Sequence, residues 1–284
     1  MKFAELFWRL CAVIEVHDVW YSYEEVVALR GVSLKIQPGE VVAIMGENGA
    51  GKTTLIKHFN GLLKPSKGYV KIFGVDTRNA SVAELSRRVG LVFQNPDHQL
   101  FSETVEEEIA FALKNFGFPS DVIKKRVEWV LKLLDLYELK DQSPFALSGG
   151  ERKRVAIASI LSYDPDVIVF DEPTVGQDYA QKERLAQLIK LLKSQLKTIV
   201  VVTHDVEFVA ENFSRVVLMS EGKIIADGST RRILTDSDLI RRARLTPPQI
   251  TQVAWELSDL GVPKDLMWVS EARDAILRVL GVKY

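Results

Sequence analysis

The sequence predicts an α/β fold in which a largely parallel sheet alternates with helices and presents a phosphate-binding loop. Three observations carry this prediction. Wholly apolar runs that read as strands buried on both faces recur along the chain: "VVAIM", "DVIVF" and "TIVVV". The first of them runs directly into "GENGAGKT", the G-x-x-x-x-G-K-T spacing of a strand-to-helix phosphate loop. Helical spacing fills the intervals, as in residues 179–196 between the last two runs.

Residues 1–12 read as an N-terminal extension. Phe3, Leu6, Phe7 and Leu10 share one helical face there, while Glu5 and Arg9 interrupt the apolar stretch and no small-residue cleavage site follows. A packing extension therefore fits better than a signal peptide. From 13 to 43 the pattern is strand-like, with "VIEVHDVWYSY", "VSLKI" and "VVAIM" punctuated by Gly31 and Pro38-Gly39. The phosphate loop opens a helix expected to reach about Leu62, stopped by Gly61 and "KPSKG". "YVKIFG" and "VGLVF" read as further strands. Residues 104–140 change character, with Ile123, Val127, Val130, Leu131 and Leu134 at helical spacing, so a helical insert is expected over about 96–160. A tail from about 241 to 284 should hold two or three short helices, the first capped by Thr246 with Pro247 in its opening position.

Composition narrows the functional classes. The 284 residues carry 37 Lys+Arg against 38 Asp+Glu, so nothing in the charge balance points to a nucleic-acid partner. The one cysteine, Cys11, excludes an internal disulfide framework and a zinc cluster and fits a reducing cytoplasm. No apolar stretch approaches the roughly 18 residues that would cross a bilayer.

The chemistry begins at the loop. Gly46, Glu47, Asn48, Gly49, Ala50 and Gly51 form a turn whose N–H groups converge, and the helix start adds the positive end of its dipole. Lys52 can reach the β- and γ-phosphates and the Thr53 hydroxyl can ligate Mg²⁺, with Thr54 completing the first turn. "DVIVFDEP" places Asp171 and Glu172 just beyond a strand, where ligands of open α/β sheets sit. One acid suits a Mg²⁺ shell, and the other can orient or deprotonate a water attacking the γ-phosphate. His204 ends the strand of "TIVVVTH" beside the same phosphates. "LSGGERKRVAIASIL" puts Ser148, Gly149, Gly150 and Glu151 at a helix start and makes a second anion site. One chain with one phosphate loop has no need for two, whereas a two-fold dimer would close each second site over its partner's ATP.

These motifs, in this order over roughly residues 13–230, resemble the ATP-binding cassette (ABC) ATPases. The resemblance implies a P-loop NTPase fold with an antiparallel β subdomain, a helical insert and a small C-terminal helical extension, the ATPase domain spanning 13–240. It assigns Tyr23 to stacking on adenine (with Tyr21 an alternative), Gln94 to the coupling loop and the Mg²⁺ shell beside Thr53 and Asp171, and Asp178 to the interface loop. In that loop "VGQD" departs from the usual pattern and only Asp178 carries over. Glu172, His204 and Gln94 become the hydrolytic residues. The cofactors implied are ATP and Mg²⁺, and the enzyme class is ATP hydrolase.

A narrower resemblance follows from "QNPDHQLF", residues 94–101, and from the tail. Both are similar to energy-coupling factor (ECF) ATPases, which energise import of vitamins and of cobalt or nickel ions. That implies a head-to-tail dimer with a second ATPase subunit (the same or a related chain), the tail as a dimerisation element, integral-membrane partners, and a peripheral place on the cytoplasmic face of the membrane. Leu100 and Phe101 look exposed and are expected to line a groove for a membrane subunit's helix. A conventional ABC transporter ATPase shares all the catalytic residues and stays open as an alternative. A soluble non-transport ABC ATPase is disfavoured, since residues 54–146 contain no sustained coiled-coil heptads.

Overall fold

The computed structural model describes residues 12–281, so the apolar face of the N-terminal extension and Cys11 lie outside the described residues. Its strands are β1 (Ile14–Tyr23), β2 (Val26–Ile36), β3 (Val41–Met45), β4 (Lys67–Ile72), β5 (Val75–Asp76), β6 (Val89–Val92), β7 (Val167–Asp171), β8 (Thr198–Val202), β9 (Arg215–Ser220) and β10 (Lys223–Ser229). The α-helices are α1 (Lys52–Lys57), α2 (Val82–Ser86), α3 (Val105–Asn115), α4 (Ser120–Leu133), α5 (Gly149–Leu161), α6 (Tyr179–Ser194), α7 (Val206–Asn212), α8 (Thr230–Leu234), α9 (Ser237–Arg242), α10 (Gln249–Glu256) and α11 (Val269–Val279).

The strands sort into two sheets. A six-stranded sheet runs in the order β10-β9-β3-β8-β7-β6 and is parallel except at its β10 edge. Every residue of β3, β6, β7 and β8 is buried, as strands covered on both faces require, by helices on one side and by α1 and the second sheet on the other. Each such Val or Ile contributes about 1.5–3 kcal/mol by leaving water. The second sheet, β2-β1-β4-β5, is antiparallel, as the resemblance implies, and takes in "YVKI" as β4. One apolar cluster lies between the two sheets and a second packs the six-stranded sheet against the helical insert.

Two local expectations change. The helix after the phosphate loop ends at Lys57 rather than Leu62. The His58 ring bonds back to the Thr54 carbonyl, and Gly61 at φ 75° turns the chain. In the tail, Thr246 caps nothing: α10 starts at Gln249 behind Pro248, and the Gln249 N–H donates to the Glu207 carboxylate (2.7 Å) instead. The main core continues through Ile240 and Ala243. Beyond it Ala254, Val262, Leu266, Ala272 and Ala275 form a small core of their own.

Candidate active site

The site lies at the carboxyl ends of β3, β7 and β8. β3 delivers the chain into the loop at Gly46 (φ 149°), where a Cβ would collide with the Met219 carbonyl oxygen. Gly51 (φ 96°) precedes α1, and a Cβ there would come within 2.6 Å of the Ala28 carbonyl oxygen. Between them Glu47, Asn48, Gly49 and Ala50 turn over the sheet, with the Ala50 N–H donating to the Glu47 carbonyl. Lys52 stands at the mouth of this turn. Its buried ammonium donates to the carbonyls of Gly46 (2.7 Å) and Glu47 (2.9 Å) and lies 3.7 Å from Glu172 Oε1. Burial holds its pKa below the ordinary lysine value, although Glu172 and Asp171 pull it upward.

The Thr53 hydroxyl meets both oxygens of Asp171, at 2.9 and 3.1 Å. Burial pushes the Asp171 carboxyl above the usual carboxylate range against that hydrogen bond. The pair offers only oxygen donors, which suits a hard cation such as Mg²⁺. Glu172 follows with φ 45° and is buried; its Oε2 lies 3.0 Å from His204 Nδ1 and 3.4 Å from the His204 N–H. An imidazole holding its proton on Nδ1 donates it to that carboxylate and leaves Nε2 as an acceptor. Lys52, Thr53, Asp171, Glu172 and His204, contributed by separate stretches of sequence, thus meet in one place.

The remaining residues surround this centre. The Tyr23 ring is 43% exposed, and its hydroxyl sits 3.5 Å from Thr54 Oγ1. Tyr21 packs edge-on against both Tyr23 (5.0 Å) and the His58 ring (5.1 Å), and so has less free face. Gln94 lies exposed in the bend after β6 and makes no hydrogen bond to the Thr53–Asp171 pair. Ser148 caps α5: its hydroxyl accepts from the Glu151 N–H (3.4 Å), while Glu151 Oε2 accepts from the Ser148 N–H (2.8 Å) and hydroxyl (2.6 Å). Gly149 and Gly150 follow as the first helical residues. Asp178 caps α6 through the Gln181 N–H (2.8 Å).

Leu100 is corrected. It is 4% exposed and belongs to the core of the helical insert, because the Gln99 side chain folds inward to the Phe93 N–H, the Ala156 carbonyl and Ser159 Oγ. Phe101 stays 58% exposed and meets Phe111 edge-on at 4.5 Å. These two rings, with Leu62, Val82, Phe93 and Phe116, line a hollow of about 260 Å³ between the six-stranded sheet and the insert. Beside His98, Asp97 pairs with Arg152 at 3.1 Å.

Sequence reasoning missed Lys153. Its ammonium donates to the carbonyls of Pro173 and Val175 in the turn after Glu172. The available signal was a lysine sharing the face of Ala156, Ile157 and Ile160 on an otherwise buried helix. Arg244 was missed too: it leaves the tail to pair with Glu47 of the phosphate loop at 3.1 Å.

A phosphate loop, a paired acid and histidine at the strand ends and a second helix cap together define a nucleotide triphosphatase of the cassette type. The family model described as ABC transporter matches residues 29–175. An energy-coupling factor transporter ATP-binding protein of Methanococcus maripaludis is 42% identical, over 93% of this chain and 97% of its own. An ABC transporter ATP-binding protein of Caldanaerobacter subterraneus is 44% identical over 85% of this chain, which spans only 43% of that longer protein. Among solved structures, cbiO1 from Clostridium perfringens, part of the transporter complex cbiONQ, superposes with a TM-score of 0.73 at 35% identity, covering 88% of this chain and 98% of that one. The cassette MJ0796, solved as a dimer with ADP and Pi, gives 0.70 at 31% identity over 76% and 98%. The chain belongs to the ABC transporter ATPases and, within them, to the energy-coupling factor transporter ATP-binding proteins. It is an ATPase.

Proposed function

We propose that this chain powers an ECF-type importer by ATP-driven closure of a dimer of ATPase subunits, with a vitamin or a transition-metal ion such as cobalt or nickel as cargo. The observation that carries the reading is the meeting of Lys52, Thr53, Asp171, Glu172 and His204 at the strand ends, on a chain that matches energy-coupling factor ATPases over nearly its whole length. The triphosphate lies along the loop from Gly46 to Thr54, with Lys52 offsetting its charge and adenine on Tyr23. Thr53 and Asp171, approached by Gln94, would hold Mg²⁺, which when bound neutralises charge developing on the transferred phosphoryl group. Glu172 accepts the proton of the attacking water, and His204 orients that carboxylate while reaching toward the γ-phosphate.

Ser148, Gly149, Gly150 and Glu151 face the nucleotide of the second subunit, with Asp178 beside them in the interface. The dimeric state of MJ0796 supports this arrangement. No helix among the described residues is long and apolar enough to cross a membrane, and the chain is read as working with integral-membrane subunits. Their helix would enter the hollow at Phe101 and Phe111, on the cytoplasmic face.

The Glu172→Gln variant tests the chemistry. ATP affinity should stay within about twofold while kcat falls by about 10²-fold or more, since the water loses its base. The arrested chain should accumulate as an ATP-bound dimer in size-exclusion chromatography. Near-normal turnover would remove Glu172 from the catalytic position.

A further inference from the structure

Lys153 sits one turn into α5 on its buried face and is 7% exposed. Its ammonium donates to the carbonyls of Pro173 (3.0 Å) and Val175 (3.0 Å), with the Glu172 carbonyl at 3.5 Å. Three acceptors thus face three N–H donors, and all are backbone rather than carboxylate. Its hydrogen-bond acceptors are thus all carbonyl dipoles, with the Glu172 carboxylate acting on it only through charge. That is a costly way to fill space, and a methionine of similar volume would pack there without the desolvation penalty. The arrangement does something packing does not. It gathers the carbonyls of the turn 172–175, whose first residue, Glu172, is held in left-handed backbone (φ 45°) without being glycine. The rest of that turn is held by Val175 N–H to the Glu172 carbonyl (3.3 Å) and by the Thr174 and Thr203 hydroxyls (3.1 Å).

The other end of the lysine belongs to α5, whose opening residues face the partner's nucleotide in the dimer. Each chain therefore has a rod of about one helical turn between the residues it offers to its partner's site and the acid that works in its own. We propose that Lys153 is a positioning residue that ties the partner-facing start of α5 to the turn carrying Glu172, so that engagement of one half-site sets the carboxylate of the other. This rests on the composite-dimer reading given above.

The test compares Lys153→Met and Lys153→Arg in the full chain, measuring kcat and KM with Mg-ATP, binding of a fluorescent ATP analogue and melting temperature. The same Met change is made in a Glu172→Gln chain to follow ATP-dependent dimerisation. Lys153→Met should lose at least about tenfold in kcat, by the scale of a misplaced catalytic group. KM, analogue binding and melting temperature should hold, the Glu172→Gln dimer should still form, and Lys153→Arg should recover most of the turnover by donating to the same carbonyls. Wild-type turnover in Lys153→Met overturns the proposal. So does a parallel fall of melting temperature, binding and turnover that Lys153→Arg does not relieve, which marks a structural lysine only. A Glu172→Gln chain that stays monomeric with ATP overturns the composite-site reading and the coupling with it. A dimeric Glu172→Gln chain beside undiminished Lys153→Met turnover overturns the positioning alone.

Discussion

His58 follows the first helix of the nucleotide loop and is completely buried. Its Nδ1 lies 2.7 Å from the Thr54 carbonyl and donates to it, while Nε2 has no hydrogen-bond partner and the ring meets Tyr21 edge-on. Contacts then run from Thr54 through His58 and Tyr21 to Tyr23 and back to Thr54, so one ring of residues joins Tyr23, proposed to stack on adenine, to the helix after the phosphate loop. Burial holds the His58 pKa below its ordinary value, and the folded ring stays neutral. The unfolded histidine takes up a proton near pH 6.5, which the folded one refuses. Stability is therefore complete above about pH 6.5 and is lost as pH falls through that value toward the folded pKa. The melting temperature should drop between about pH 7.5 and 5.5, by about 2–4 °C for each kcal/mol lost. His58→Asn, which keeps a donor near the Nδ1 place but does not titrate, should start lower and show a flatter pH dependence. An equally steep slope in the variant would assign the effect to other groups.

At the scale of elements, Leu100 and Phe101 separate fold from coupling. Leu100→Ala opens a cavity in the insert and should cost about 2–5 kcal/mol. Phe101→Ala removes an exposed ring whose edge-on contact with Phe111 contributes about 0.5–1.5 kcal/mol. The second variant should keep the ATPase rate of the isolated chain and lose substrate uptake in the assembled transporter. Melting temperature, soluble turnover and uptake measured on both decide it; loss of soluble turnover in Phe101→Ala would place that ring in the fold rather than at a docking surface. The pair also marks where the sequence stops being readable. Strand runs, loop spacing and capping residues are local, and they led to β3, β7, β8 and the acids beyond them. Leu100 was misread because its burial depends on Gln99 reaching α5 across more than fifty residues of sequence. Thr246 looked like a cap until Glu207, on another helix, took the first free N–H of α10. For Lys153 the sequence offers only its place on a buried helical face; its acceptors are carbonyls, which every sequence has.

For the whole molecule, the tail forms a satellite core held by few attachments. Arg231 of α8 pairs with Glu271, donates to the Asp265 carbonyl (2.7 Å) and lies over the Trp268 ring (4.6 Å). Leu260, Val269 and Leu280 remain exposed on its outside, a surface that suits the dimerisation the resemblance implies for the tail. Single surface ion pairs contribute about 0–1 kcal/mol, but Arg231 joins three partners. Arg231→Ala should raise amide exchange over residues 249–279 and weaken self-association a few-fold, with ATP affinity of the single chain unchanged. Sedimentation equilibrium and hydrogen exchange on the same samples check this, and unaltered association would detach the tail from dimer formation.

The cap of α5 has a consequence for how such a machine cycles. The donors that Ser148 would offer to a partner's phosphate are already occupied by the carboxylate of Glu151, a resident stand-in for the visiting anion. In the dimer proposed above, closure would substitute one anion for another at the Ser148 donors. A grip assembled that way lets go easily once the terminal phosphate is cleaved, because the displaced carboxylate is tethered three residues away and returns at once. In the proposed dimer the helix cap itself would then favour reversal.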